Sequence, residues 1–470
     1  MMLHYIHSLG NHEFDNGVNG LTPFIENLTS PVLCANLILN KVPQLARETN
    51  LKKSIVLEVA GHKVGIVGYL TPETKVLAVP NDVEYRDEIE VLKEEVQKLK
   101  NEGIHIIIAL GHSGYLKDLD IAQQVEDVDL VIGGHTNTFL WNGTSPDFEQ
   151  SQGPYPTYVK QASGRKVPVV QAYAYTKYLG KLHLVFDSNG EIIRADGTPI
   201  LLDNTIPQDE EVLKIINRYR ANVINITDEV LASTAVILDA KACQLSECNL
   251  GNLITDAMVF KYASEYTGEH WTDAPIAIIQ GGGIRTSISH AQMPTNITKG
   301  DLLEVMPFDG RAVAVTVNGS VLLQMMEHSV ASYNPIEPRG QFLQYSGIQV
   351  TFNLEKPPGS RIVSAQARCW ACTIPKFSQI VDKDIYKVLM PSFVAIGGDG
   401  FSMFHGLPTK SLDYNELTCT QYYVSRHSPI YPQIEGRITF LSKNDPNSSS
   451  IVKLSLVSTL IVLLRLLVIV

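Results

Sequence analysis

The sequence predicts an α/β chain of two domains joined by a helix, and three observations carry that prediction. Apolar runs at 64–69, 104–110, 128–132 and 275–279 are bounded by glycine, and the last three end in glycine-rich polar turns, as buried strands do. Between two of these runs, residues 87–101 place Ile89, Leu92, Val96 and Leu99 at helical spacing in an otherwise charged segment. Strand, helix, strand order implies a layered α/β core. The third observation is length: 470 residues exceed what one core of ordinary size organises.

The connecting helix is predicted over 207–225. It opens on Asp209, Glu210 and Glu211, where a helix N-terminus favours anions, and continues with Val212, Ile215, Ile216 and Tyr219. The expected organisation is a first domain at 1–206, a linker helix at 207–227, a second domain at 228–441 and a tail at 442–470. No internal repeat of solenoid period is present.

Composition narrows the function classes. A hydrophobic fraction of 44% suits globular domains with full cores. A net charge of −11 argues against a nucleic-acid groove, which would need a Lys/Arg stripe, and no nucleic-acid partner is expected. It leaves room for a small anionic substrate, since a local cation cluster outweighs global charge. Of six cysteines, Cys369 and Cys372 form a CxxC, Cys243 and Cys248 lie close together, and Cys34 and Cys419 stand alone. A CxxC can be a redox site, half a zinc site or a small-loop disulfide. No second CxxC completes a zinc site and no βαβ pattern surrounds this one, so a structural disulfide formed in an oxidising compartment is expected. Asn-x-Ser/Thr sequons at Asn27, Asn142, Asn225, Asn296 and Asn318 agree with secretion.

The two ends point differently. Met1 to Tyr5 has neither a basic nor an apolar leader region. Residues 444–450 are polar and small, and 454–470 are apolar apart from Ser455, Ser458, Thr459 and Arg465, resembling a GPI-attachment signal. The expected partner of that tail is the outer membrane leaflet, through a lipid anchor.

The chemistry-bearing residues sit at the glycine turns. Gly10-Asn11-His12-Glu13-Phe14-Asp15-Asn16-Gly17, Gly111-His112 and Gly133-Gly134-His135 place three histidines and an asparagine beside backbone bends. Imidazole is the commonest protein metal ligand near neutral pH. A histidine closing a strand can equally be a satisfied core residue, so spacing alone leaves a metal site and two core histidines both open.

These segments resemble a known family. Gly10 to Gly17 is similar to the Asn-His-Glu motif of calcineurin-like metallophosphoesterases. With Gly111-His112-Ser113-Gly114, Gly133 to Asn137, Gly251-Asn252-Leu253-Ile254, Gln280 to Arg285, Pro307-Phe308 and Gly397 to Phe401, the match extends to animal ecto-5′-nucleotidases and the related salivary apyrases. The resemblance implies an N-terminal metallophosphoesterase β-sandwich flanked by helices, a linker helix and an α/β C-terminal substrate domain. It implies two divalent metal ions, with zinc expected, held in part by Asn11, His112, His135 and Asn137. It makes His12 the group that stabilises the phosphoryl transition state, with Asp15 orienting its ring. Phe308 and Phe393 would sandwich a nucleobase, Asp399 would accept from ribose hydroxyls and Arg285 would bind phosphate. A core position is the plain reading of either phenylalanine taken singly. The implied reaction is hydrolysis of nucleoside 5′-monophosphates, AMP to adenosine and phosphate, at the cell surface, by a homodimer. Alternatives are an apyrase acting on ATP and ADP, and a non-catalytic nucleotide-binding surface glycoprotein.

Departures from the family pattern accompany the match. Its opening Asp-x-His motif and the Gly-Asp segment carrying the carboxylate that bridges the metals are not found, and both are expected upstream of Met1. The 470 residues taken alone are therefore expected to be inactive, and the natural protein active. Gln280 replaces an asparagine. Gln244 stands where the vertebrate enzymes carry a phosphate-binding arginine, and Thr255 and Ala277 occupy the positions of a disulfide lost as a pair.

Overall fold

The computed structural model describes residues 6–289 and 292–441, so the tail at 442–470 lies outside the described residues. The chain divides into two compact units, the first running up to Ile216 and including the short turn Gly398–Gly400, the second beginning at Asn217 and excluding that turn.

In the first unit, strand β1 (His7–Ser8) pairs in parallel with Val32–Leu33, which pairs in turn with Leu51–Lys52. The principal sheet has six strands: β2 (Ser54–Val59), β3 (His62–Leu70), β4 (Ile106–His112), β5 (Leu130–Ile132), β6 (Thr157–Lys160) and β7 (Lys166–Val170), in the order β6-β7-β5-β4-β3-β2. β3, β4, β5 and β7 run parallel, with antiparallel strands at both edges. Helix α1 (Gly17–Asn27) follows the Asn11 turn, α2 (Glu88–Asn101) joins β3 to β4, and α3 (Tyr115–Gln124) joins β4 to β5. α2 forms where its periodicity predicted. Asp87 caps it by accepting from the Glu90 N–H at 3.1 Å, and Lys98 and Lys100 lie in its last turn, favourable to the helix dipole. Val91, Leu92, Val96 and Leu99 bury its apolar face in the core with Val67, Ile107 and Val131 of the sheet.

Helix α4 (Glu210–Thr227) forms at the expected linker position, but none of its residues is buried. Val212 is 53% and Tyr219 is 66% exposed. Amphipathic spacing specifies that a helix has an apolar stripe; whether anything covers the stripe is a tertiary matter.

In the second unit, α5 (Asn249–Glu265), α6 (Lys299–Val305) and α7 (Gly319–Ser329) pack around a five-stranded mixed sheet. Its strands are β8 (Ile276–Gln280), β9 (Ala312–Asn318), β10 (Leu343–Ser346), β11 (Ile385–Pro391) and β12 (Thr409–Ser411), in the order β10-β8-β11-β9-β12. β8 reads as an unbroken apolar run because both faces of the sheet are covered. Ile276 and Ile278 enter one core cluster with Val313, Val388 and Met390, whereas Ala277 and Ile279 enter the other with Leu253, Ala314 and Leu389. Cys243 is bonded to Cys248 and Cys369 to Cys372, as expected for structural disulfides; Cys34 and Cys419 are buried free thiols.

Candidate active site

The first unit gathers its polar residues at the carboxyl ends of parallel strands. β1 runs into the turn Asn11–Phe14, β4 ends at His112 and β5 runs into Gly133-Gly134-His135. The pairing of β3 with β4 sets Leu70 opposite His112, which fixes how far the histidine protrudes.

Asn11, His112 and His135, distant in sequence, meet here. Asn11 is buried, and its Oδ1 lies 3.1 Å from His135 Nδ1. The His112 and His135 rings are 5.1 Å apart, edge to face. Two glycines make this approach possible. A Cβ on Gly10 would lie 3.1 Å from both Nδ1 and Cε1 of His112, and one on Gly134 would lie 3.1 Å from His112 Nδ1. His135 and Asn137 both take left-handed backbone, with φ of 76° and 54°. Such strain in non-glycine residues costs on the order of 1–3 kcal/mol and persists where surrounding structure enforces it. Asn137 is exposed on the same turn, and its side chain makes no hydrogen bond among the described residues.

His12 Nδ1 sits 3.0 Å from Asp15 Oδ2, and both side chains are partly exposed. The glutamate between them serves the backbone: Glu13 Oε2 accepts the Gly10 N–H. Burial, with the nearby His12 as a second cause, pushes the His112 imidazole down to about 4, so it is neutral at physiological pH.

Asp118 and Gln171, missed in the sequence, hold this turn from beneath. Asp118 is fully buried, accepting from Tyr69 Oη and Gln171 Nε2, each at 2.7 Å. Gln171 also donates to the Gly134 carbonyl at 3.0 Å and accepts from the Thr138 N–H at 3.0 Å. On an amphipathic helix an aspartate reads as a solvated position, and no spacing signal marks this one. A Cβ on Gly133 would overlap the Asp118 carboxylate. Gly133→Ala is therefore expected to destabilise the first unit by about 3 kcal/mol or more, since it overpacks the site and breaks a buried hydrogen-bonded carboxylate network. Urea unfolding followed by circular dichroism measures this; an unchanged midpoint would refute it.

The second unit gathers Arg285, Phe308 and Phe393 at one end of its sheet, the carboxyl ends of β8 and β11 and the amino end of β9. β8 runs parallel to β11, and β9 antiparallel to it with Ala312 opposite Pro391. Arg285 follows the triglycine turn after β8, donating from Nη1 to the Gly282 carbonyl at 3.1 Å. Its guanidinium lies 5.7 Å from the centre of the Phe308 ring, in the loop entering β9. Phe393 lies in the short helix Ser392–Ala395 leaving β11 and packs in part against the core. The two loops are tied by Ser392 N–H to the Arg311 carbonyl at 2.7 Å and Arg311 N–H to Ser392 Oγ at 3.3 Å. Asp399, buried and left-handed with φ of 51°, stands further along the chain in the Gly398–Gly400 turn.

Two imidazoles and an amide oxygen, one imidazole kept neutral, fit part of the shell of one borderline divalent ion such as zinc. Among the described residues no three His, Cys, Asp or Glu side chains form a metal-holding group.

These features accord with a metallophosphoesterase-type hydrolase built from two units, and the chain matches the corresponding families. Residues 2–139 match the calcineurin-like phosphoesterase family and residues 228–406 the 5′-nucleotidase C-terminal domain. The chain is 43% identical to a 5′-nucleotidase of Diplobatis ommata, covering 93% of this chain and 76% of that protein, and 41% identical to the 5′-nucleotidase of Homo sapiens, covering 97% and 80%. The crystal structure of a 5′-nucleotidase precursor from Thermus thermophilus superposes with a TM-score of 0.85 at 31% identity, covering 94% of this chain and 84% of that one. This chain belongs to the 5′-nucleotidase family and is a metal-dependent phosphoesterase.

Proposed function

We propose that the protein hydrolyses nucleoside 5′-monophosphates, with AMP giving adenosine and phosphate, outside the cell. The observation that carries the reading is the convergence of Asn11, His112 and His135 beside the His12–Asp15 pair. Asn11, His112 and His135 would hold a divalent ion, which when bound supplies Lewis acidity and an activated water. With Nδ1 tied to Asp15, His12 is oriented to present Nε2 as a donor to a phosphoryl oxygen, which gains negative charge as the water oxygen adds to phosphorus and the bond to the 5′ oxygen breaks. The attacking water gives up one proton as its oxygen bonds phosphorus, and the 5′ oxygen takes up one as it leaves, so that adenosine and phosphate are the net products. Arg285 would pair with phosphate through its planar fork, Phe308 and Phe393 would hold the base by stacking, and Asp399 would accept from ribose hydroxyls.

Two disulfides support an oxidising compartment. No helix among the described residues is long and apolar enough to cross a membrane. Surface attachment through the 442–470 tail remains a proposal drawn from sequence.

The test is AMP hydrolysis by the protein expressed from its natural transcript, assayed after chelation and after restoring zinc. Phosphate release that disappears with chelator and returns with metal is expected. Tight AMP binding without release, with metal supplied, would instead support the non-catalytic reading, and release from ADP in preference to AMP would support the apyrase.

A further inference from the structure

We propose that N-linked glycans are carried by Asn27, Asn225, Asn296 and Asn318, and that the fold excludes one from Asn142. The inference rests on the extracellular reading above and adds to it a choice among sites that the sequence leaves equal. Exposure does not make that choice, because all five asparagines are exposed. The way each carboxamide is used does.

Asn142 is paired at both of its polar atoms. Its Oδ1 accepts the Tyr155 N–H at 3.3 Å, and its Nδ2 donates to the Tyr155 carbonyl at 2.5 Å. The neighbouring backbone holds that register. The Trp141 N–H donates to the Gly153 carbonyl at 2.9 Å, and Trp141 Nε1 closes the turn on the Thr144 carbonyl at 2.9 Å. Tyr155 is itself buried in the core of the first unit. With both bonds made to one residue, the carboxamide presents a single edge, its oxygen and the N–H on the same side. Glycosylation joins Nδ2 to the anomeric carbon of an oligosaccharide borne on a lipid diphosphate; the carbon–oxygen bond to the diphosphate breaks, and the amide gives up one proton. The product is a secondary amide, which favours the trans form and so places the sugar on the same side as the oxygen. On Asn142 that side faces Tyr155. A glycan there would replace the donated hydrogen, push the turn away and leave the Tyr155 N–H and carbonyl without these partners.

The other four leave Nδ2 available. Asn225 on α4 and Asn296 in the strand Thr295–Thr298 make no side-chain hydrogen bond among the described residues. Asn318 caps α7 through its oxygen, which accepts the Val321 N–H at 3.0 Å and the Ser320 hydroxyl at 2.8 Å. Asn27 ends α1 and donates one N–H to the Pro23 carbonyl at 2.8 Å, and a glycosylated amide keeps one N–H.

The experiment expresses the protein from its natural transcript in a eukaryotic secretory host and isolates the folded fraction by size exclusion. An amidase that removes the glycan and leaves aspartate marks each occupied site for peptide mass spectrometry. Asn27, Asn225, Asn296 and Asn318 are expected to be converted in most copies, and Asn142 to be recovered unchanged. Two variants check the assignment on the intact protein. Thr144→Ala removes the Asn142 sequon without touching its carboxamide and should leave the total glycan mass as it was. Ser320→Ala should remove one glycan. Conversion of Asn142 as often as the others, or loss of a glycan in Thr144→Ala, would overturn the inference and leave the extracellular reading standing. So would recovery of any of the other four unconverted while the rest are modified. If none of the five is modified although the host's own secreted glycoproteins are, the extracellular reading fails and this inference with it.

Discussion

Replacing His12 with alanine is expected to lower kcat for AMP by roughly 10²–10⁴-fold, the usual contribution of a positioned proton donor or transition-state hydrogen bond, while leaving KM and thermal stability nearly unchanged. The separation of effects follows from where His12 stands. Its side chain is 41% exposed, so little packing is lost on truncation. Its hydrogen bond to Asp15 engages Nδ1, so Nε2 is the nitrogen proposed to meet the phosphoryl oxygen. Asp15→Asn should produce a smaller fall in kcat, because an amide can still hold the ring but no longer favours the imidazolium. A stopped assay over a range of AMP concentrations, with a melting curve on the same sample, separates the possibilities. A large rise in KM with kcat preserved would place His12 in ground-state binding. A lost melting transition would place it in the fold.

His112→Ala is expected to weaken divalent-metal affinity by more than about 100-fold, beyond the 10–100-fold typical of removing an outer partner of a ligand. Competition of the protein with a chromogenic zinc chelator reads this directly, without relying on turnover. Three features favour His112 as the critical donor of the proposed metal site. It ends the strand next to β3, where its backbone pairs with Leu70 and its carbonyl accepts the Thr71 N–H at 3.1 Å. Its ring is clasped between Gly10 and Gly134 and cannot readily turn away. Burial holds it neutral, with its pKa brought down to about 4, so a proton does not compete for the ring at physiological pH. Activity should return in part at high metal concentration. Zinc binding indistinguishable from that of the unsubstituted protein would remove His112 from the metal site, and with it the central element of the proposed chemistry.

Much of the architecture was legible in the sequence, because hydrophobic periodicity is local. The runs at 64–69, 104–110, 128–132 and 275–279 coincide with β3, β4, β5 and β8, and the charged amphipathic segment after Asp87 is α2. Gly-His at a strand end marked His112 and His135 for the same reason: the glycine, the bend and the protruding ring are consecutive in the chain. Asp118 and Gln171 carried no such mark. Each matters through a residue outside its own element, Gly133 and Gly134 respectively, and a contact of that kind has no periodic signature.

By itself the sequence determined the order of strands and helices, the two disulfide-capable cysteine pairs and the family, and it nominated the residues proposed for metal and phosphate binding, since these depend on residue type and near-neighbour spacing. The tertiary structure decided the rest. Sheet order β6-β7-β5-β4-β3-β2 puts β4 beside β5 and so brings His112 and His135 to the same end of the sheet, while the turn after β1, which belongs to a separate three-stranded sheet, sets Asn11 against His135. The left-handed turn at His135, the buried carboxylate beneath it, and the solvent-facing apolar stripe of α4 likewise follow from which surfaces meet. Burial and long-range hydrogen bonding are properties of pairs of segments, and a single segment's pattern cannot state its partner.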